Sequence, residues 1–303
     1  MNMDIFSTRN LYMKACHQSK DLHVMTDEER VKLQSHLRKM YKEIESICDR
    51  RGLVVMLAYG SVIGALRHHG FIPWDDDIDL FMPREDYDKL INVYSHELPP
   101  TYKIYAPNSK NGPIYRFAKV IDISTRFITP GSDRTSEANG IFIDIFPLEN
   151  ASTNKMAIRW LQIKAAILMY IASSVVSYKN KNKKHKEIMC STIAGAFNYY
   201  FRRVIGFLFS WTTSQKWFDI FDSSVGHNAK TGYYNIPSAG PNKKYYLPMK
   251  KSLFEPVRKV PFDDIEAYIP NEAEKLLELE YGDWRKIPSE NERWMHFIEE
   301  IKI

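Results

Sequence analysis

Three aspartates offer the plainest chemistry in this chain. Asp77 and Asp79 stand two apart in Asp77-Ile78-Asp79-Leu80, and Asp144 follows much later in Ile143-Asp144-Ile145. Side chains alternate faces along a strand, so Asp77 and Asp79 point one way while Ile78 and Leu80 point into the core. Two carboxylates on one face raise each other's pKa unless a cation joins them. Mg²⁺ or Mn²⁺ suits that need, because hard divalent ions prefer oxygen ligands. Asp144 has Phe142 and Phe146 beyond its flanking isoleucines, so it too stands out of an apolar strand. If its strand neighbours the first, three carboxylates converge.

That set suits phosphoryl transfer. A divalent metal bridges phosphate oxygens and neutralises developing charge. A spare carboxylate can take the proton from an attacking hydroxyl. Gly60-Ser61, upstream of the first pair, reads as a turn whose backbone N–H groups approach a phosphate. A D-x-D alone also fits an edge strand with solvated acids. The ordered set of apolar strand, Gly-Ser, short helix, D-h-D-h and later h-D-h is the pattern of the nucleotidyltransferase superfold of polymerase-β-like enzymes.

The elements that must position these residues follow from periodicity. Thr26 and Glu29 form a capping-box pair. Val31, Leu33, Leu37, Met40, Ile44 and Ile47 then recur at helical spacing, which predicts a helix over 27–50 ending at Gly52. Residues 53–59 read as a buried strand closed by Gly60-Ser61, and 62–68 as a short helix. A strand through Asp77–Asp79 ends at Pro83, and 84–96 is helical. Strands are expected at 102–105, 114–121 and 140–146, then at 254–260, with a helix over 270–281. The fold class expected is α+β.

Residues 155–228 differ. They carry almost no strand or turn signal, and eleven Lys/Arg face three acidic residues there, a local charge of +8 that leaves −3 for the rest of the chain. The basic run from Lys179 to Lys186 separates two helical stretches. It reads either as a solvated linker or as part of a basic, aromatic-rich helical pair resting on an anionic membrane surface.

Composition narrows the function classes. The chain has 303 residues, 44% hydrophobic and 26% charged, which is globular rather than disordered. A net charge of +5 does not suggest a nucleic-acid-coating protein, and no nucleic-acid partner is expected. Cys16, Cys48 and Cys190 are too far apart for a zinc site and odd in number, which points to a reducing compartment. The N-terminus has no apolar signal-peptide core, and the apolar run 165–176 is shorter than a membrane span needs.

The resemblance to a family is more specific. Residues 59–87, from Tyr-Gly-Ser-Val-Ile-Gly through Trp-Asp-Asp-Asp-Ile-Asp-Leu-Phe-Met-Pro to Asp-Tyr, resemble the signature of the LicD family of bacterial phosphocholine transferases, which are related to fukutin-type phosphoribitol transferases. Gly140-Ile-Phe-Ile-Asp144-Ile-Phe-Pro-Leu-Glu149 resembles its second block. Phe254-Glu255-Pro256 with Pro261-Phe262, and Tyr281-Gly282-Asp283-Trp284, resemble its C-terminal blocks. The likeness runs from about residue 30 to the C-terminus and is weakest over 155–228.

The resemblance implies a CDP-alcohol donor, typically CDP-choline, and an acceptor hydroxyl on a cell-surface glycan precursor. Asp77 and Asp79 would hold the metal, Asp144 would act as ligand or base, and Asp75 would join the cluster. CMP would leave. Gly60, Ser61, Arg67 and Lys119 are the candidate nucleotide and phosphate contacts. Arg67 equally fits a surface ion pair. Arg116 and Lys119, three apart on one expected strand, would face opposite ways; Lys119 is favoured, because family members carry a basic residue before an Asp at this place. Trp74 could cage a quaternary ammonium or simply pack the acidic loop. His68, His69 and His296 are weaker candidates, since three carboxylates already provide the chemistry.

The expected organisation is a loose arm over 1–25, a nucleotidyltransferase-like core over 26–150 completed by 229–303, and a basic helical insertion over 151–228. The expected location is cytoplasmic, peripheral on the inner membrane face. Two rival readings stay open: a D-x-D metal-dependent glycosyltransferase using a nucleotide sugar, and an inactive homologue serving as a binding subunit in glycan assembly.

Overall fold

The computed structural model describes residues 25–129, 136–179, 183–226, 230–289, 293 and 297–303. The N-terminal arm, Cys16, His296 and part of the basic run after Lys179 lie outside them.

Helix α1 (Asp27–Arg51) starts where the capping box predicts. The Thr26 hydroxyl accepts the Glu29 N–H at 3.2 Å, and the Glu29 carboxylate accepts the Thr26 N–H at 2.9 Å. Gly52, at φ 64°, ends the helix in the left-handed region open to glycine. Leu33, Leu37, Met40, Ile44 and Ile47 are buried against the sheet, whereas Val31 faces water.

The chain then runs through β1 (Met56–Leu57), α2 (Tyr59–Ile63) with a π-helical turn over Gly64–His68, and β2 (Asp79–Pro83). Next come α3 (Arg84–Lys89), β3 (Tyr102–Tyr105), β4 (Ala118–Asp122), β5 (Arg126–Ile128) and β6 (Ile141–Asn150). Four helices follow: α4 (Lys155–Lys179), α5 (Lys183–Met189), α6 (Ile193–Leu208) and α7 (Ser214–Val225). The chain closes with β7 (Tyr233–Asn235), β8 (Met249–Lys250), β9 (Arg258–Phe262), β10 (Ile265–Ile269), α8 (Ala273–Tyr281) and β11 (Glu300–Lys302).

The main sheet has the order β1-β2-β6-β4-β3, with β7 and β8 continuing from the far end of β6. Among the described residues β2 and β6 pair in parallel, and the other pairs of this sheet are antiparallel. Strand β6 is central, and its Ile141, Ile143 and Ile145 lie in the core with Leu80 and Met82 of β2. The architecture is a mixed sheet with many helices.

Several expected boundaries move, each for a local reason. The apolar run 53–59 forms only the two-residue β1, because Tyr59 turns out of the strand at φ 46° and opens α2. Gly60 and Ser61 therefore sit in the first turn of a helix, not in a turn that closes a strand. The strand expected over 114–121 begins at Ala118, because the Arg116 guanidinium is drawn to the carbonyls of Ser238 (2.5 Å) and Ala239 (3.1 Å). The strand expected from 254 begins at Arg258, and the helix expected from Pro270 begins at Ala273.

Helix α4 is continuous across the apolar run 165–176, and among the described residues it is the one helix long and apolar enough to cross a membrane. It is also bound to its neighbours. Ala165 and Met169 pack with Phe221 and Val225 of α7, and Val175 packs with Trp217 and Phe218, so α7 runs back along it. Arg84 ties this helical part to the sheet. Its guanidinium pairs with Glu149 of β6 and, at 2.8 Å, with Asp222 of α7. Burial opposes the charge on Arg84, but the two carboxylates outweigh it and hold the guanidinium well above its ordinary pKa.

Candidate active site

The sheet register brings the predicted carboxylates together. Asp79, the first residue of β2, lies directly opposite Asp144 of β6, and Asp144 lies opposite Lys119 of β4. Residues directly opposite in neighbouring strands share a face, so the three side chains form one row across three strands. Lys119 Nζ is 2.5 Å from Asp144 Oδ1 and 3.6 Å from the centre of the Phe142 ring. Neighbouring strands on both sides thus fix a charge pair that one strand could not.

Asp77 lies just before β2, in the extended lead-in after the loop 73–76. One oxygen each from Asp75, Asp76 and Asp77 falls within 4.8 Å of the others. The tightest acidic grouping among the described residues is therefore this consecutive trio, with Asp79 and Asp144 beside it. Asp77 belongs to both sets. The sequence reading did not include Asp76, although the run Asp75-Asp76-Asp77 displays it openly.

Electrostatics tie the two groups into one site. Burial raises the Asp79 carboxyl well above its ordinary pKa. Asp77, Asp144 and Asp75 raise it further, and Lys119 pulls it down. Such crowding disfavours full ionisation without a cation. The donor set fits a hard divalent ion, since every candidate ligand is a carboxylate oxygen.

Supporting groups hold this arrangement. The Asp79 N–H donates to the Ser61 hydroxyl at 3.0 Å, and the Ala58 N–H donates to the Asp79 carbonyl at 2.8 Å. Ser61 is buried, and it fixes the start of β2. A Cβ on Gly60 would stand 3.2 Å from Asp75 Oδ2, so the glycine lets α2 lie against the acidic loop. Gln34 of α1 donates to the Asp75 carbonyl at 2.9 Å from the other side.

The remaining candidates scatter. Arg67 donates to the carbonyls of Trp284 (2.7 Å) and Lys286 (3.2 Å), so it fastens the C-terminal segment to the π-helical turn. Arg116 lies off the strand, as described. Trp74 carries the Arg293 guanidinium 4.4 Å from its ring centre and the His68 ring at 6.3 Å. Tyr59 was not singled out by the sequence. It combines a left-handed backbone with a buried hydroxyl that has no partner among the described residues, directly before Gly60. Burial pushes that hydroxyl well above its ordinary pKa, with Asp79 among the charges that add to it.

Two cavities adjoin the site. A cleft of about 740 Å³ reaches from Lys119, Phe142 and Asp144 to Lys179 of α4 and Gln215 of α7. The sheet and the helical segment therefore share one cleft. A smaller, largely apolar cavity of about 250 Å³ is lined by Tyr59, Phe81, Tyr245, Glu280 and Tyr281.

Comparison with known proteins finds relatives over most of the chain. Residues 52–174 match the family described as LicD/FKTN/FKRP, nucleotidyltransferase domain, a stretch that holds Ser61, the acidic loop, Lys119 and Asp144. The chain is 29% identical over 265 residues to the lipopolysaccharide cholinephosphotransferase LicD of Haemophilus influenzae, covering 85% of this chain and 92% of that protein. It is also 27% identical over 79 residues to an uncharacterised protein of Rickettsia typhi, about a quarter of each chain. The aspartate-bearing blocks fall inside the matched stretch, so the chain carries a LicD-family nucleotidyltransferase domain over residues 52–174 and is similar to LicD over most of its length.

Proposed function

We propose that the protein is a phosphotransferase that moves a phospho-alcohol, phosphocholine before phosphoglycerol or phosphoribitol, from a CDP-activated donor to a glycan hydroxyl, releasing CMP. One observation carries the reading: Asp79, Asp144 and Lys119 stand in one row across β2, β6 and β4, in a chain similar to a lipopolysaccharide cholinephosphotransferase. The family description supports a polymerase-β-like core, which we assign to residues 26–150 with 229–303, and we treat 151–228 as a helical insertion.

In this reading Asp77 and Asp79, with Asp75 beside them, would hold Mg²⁺ or Mn²⁺. Held there, the ion would supply charge neutralisation for the diphosphate and the departing CMP oxygen. The acceptor oxygen bonds to the alcohol-bearing phosphorus. The bond from that phosphorus to the bridging oxygen breaks, and its electron pair leaves with CMP. The acceptor's proton passes to the Asp144 carboxylate. The Lys119 ammonium, fixed beside Asp144, offsets negative charge at the reacting phosphates. The large cleft would take the acceptor between the sheet and the helical segment.

The test is ³¹P NMR of the protein with Mg²⁺ or Mn²⁺ and CDP-choline, CDP-glycerol or CDP-ribitol in turn, with and without a glycan acceptor. CMP from one donor, lost in Asp79→Asn, is the expected result. Turnover of a nucleotide sugar instead, with UDP or GDP released, would overturn the reading in favour of a glycosyltransferase.

A further inference from the structure

Helix α6 is amphipathic in the reverse sense. From Ile193 to Trp211, at the end of the helix and just beyond it, the exposed positions are Ile193, Phe197, Tyr200, Phe201, Val204, Phe207, Leu208 and Trp211. None is charged. Their spacing follows one helical face. Ile193 is 93% exposed and Phe197 72%, values ordinary for a lysine and costly for such side chains in water. The polar side chains of the same helix turn inward: Arg202 donates to the Ser173 hydroxyl at 2.8 Å, and Arg203 to the Ser177 carbonyl at 3.2 Å.

This face is not a stray end of the fold. Gly206 is packed so closely on α4 that a Cβ there would collide with the Ser174 carbonyl, so α6 is seated on α4. Trp211 packs against Trp217 of α7 at 5.4 Å. A second apolar stripe, Met156, Trp160, Ile163 and Ile167, is exposed on α4. Exposed lysines and an arginine are carried by the neighbouring helices, at Lys155, Arg159 and Lys164 of α4, Lys183 and Lys186 of α5 and Lys216 of α7. The segment's charge of +8 contrasts with −3 for the rest of the chain.

We propose that this face docks on an anionic lipid bilayer, with α6 lying in the interface and its apolar side chains among the acyl chains. The charge asymmetry selects a lipid surface over a second copy of the chain, because two copies would bring like-charged segments together. Packing favours lying over spanning: α4, among the described residues the helix long enough to cross, is held by α6 and α7 along its second half.

The test is flotation of the full chain with phosphatidylcholine vesicles and with vesicles that also contain phosphatidylglycerol. Wild-type protein is expected to float with the anionic vesicles and to be released by salt. Phe197→Ser with Phe201→Ser and Phe207→Ser is expected to lower that partition about tenfold or more. The thermal midpoint and elution volume of the triple variant, measured alongside, show that it remains folded. A second pair, Lys183→Glu with Lys186→Glu, should weaken binding to anionic vesicles without changing the apolar face. Two outcomes would overturn the proposal: wild-type protein that stays at the bottom with both vesicle types, or a wild-type dimer that the phenylalanine variants make monomeric while flotation stays absent.

Discussion

Asp79 of β2 and Asp144 of β6 are register partners across the one parallel pairing of the main sheet. The two carboxylates are far apart in sequence and adjacent in space, and neighbours on one face of a sheet cannot avoid each other electrostatically. Burial raises the Asp79 carboxyl, Asp77 and Asp144 raise it further, and Lys119 on the next strand opposes them.

Replacing either carboxylate by its amide keeps the shape and removes the charge. Asp79→Asn and Asp144→Asn are each expected to reduce CMP release from a CDP-alcohol by at least about 10²-fold, the scale on which positioned acid–base groups act. Both variants should remain folded by circular dichroism, because the amide keeps the side-chain shape; Asp79→Asn relieves repulsion, whereas Asp144→Asn gives up the ion pair with Lys119. Wild-type turnover by either variant would remove that residue from the proposed chemistry.

Divalent ion binding should stabilise the protein through this site. Anything that binds the folded state alone raises its stability by mass action. Mg²⁺ or Mn²⁺ added to chelator-treated protein is expected to raise the thermal midpoint, and Asp77→Asn with Asp79→Asn to abolish the rise. An equal rise in the double variant would show that the ion binds elsewhere.

Lys119 should act through charge. Lys119→Met keeps much of the aliphatic contact with Phe142 but removes the ammonium 2.5 Å from Asp144. Loss of a preorganised electrostatic contact costs about 10²–10³-fold in turnover. Lys119→Arg should recover part of that loss, which steady-state assays of CMP release would reveal.

Arg84 offers a stability prediction with a pH signature. Arg84→Met leaves Glu149 and Asp222 buried without their cation, at a cost of about 3–5 kcal/mol. Burial already raises the Glu149 carboxyl, and Arg84 opposes that rise. Without Arg84 the folded-state value moves higher still. The folded state of the variant then gains most from protonation, so its deficit is full above that raised value and shrinks as pH falls through it. Urea denaturation at pH 7 and at pH 5 should show the gap between variant and wild type narrowing. A gap independent of pH would indicate that the loss is one of packing.

Local chemistry made much of this protein legible without coordinates. The Thr26–Glu29 capping box and Gly52 bound α1, because caps satisfy backbone groups within one turn. The strand pattern around Asp79 and Asp144 and the helical character of α4, α6 and α7 were also readable from spacing. What the sequence left open depended on distant partners. The Arg116 guanidinium bonds to carbonyls of Ser238 and Ala239, which pulls its segment off the strand, and no local pattern carries that bond. Tyr59 leaves β1 early, and Ser61 spends its hydroxyl on the Asp79 N–H, because β2 arrives there from another part of the chain. Residue types and spacing determined which carboxylates were present and that two helices carried a surplus of apolar and basic residues. Only the tertiary structure decided that Asp79, Asp144 and Lys119 share one row, and that the large apolar side chains of α6 face outward. Strand register and helix rotation are set by packing between distant segments, and that packing is a property of the whole fold.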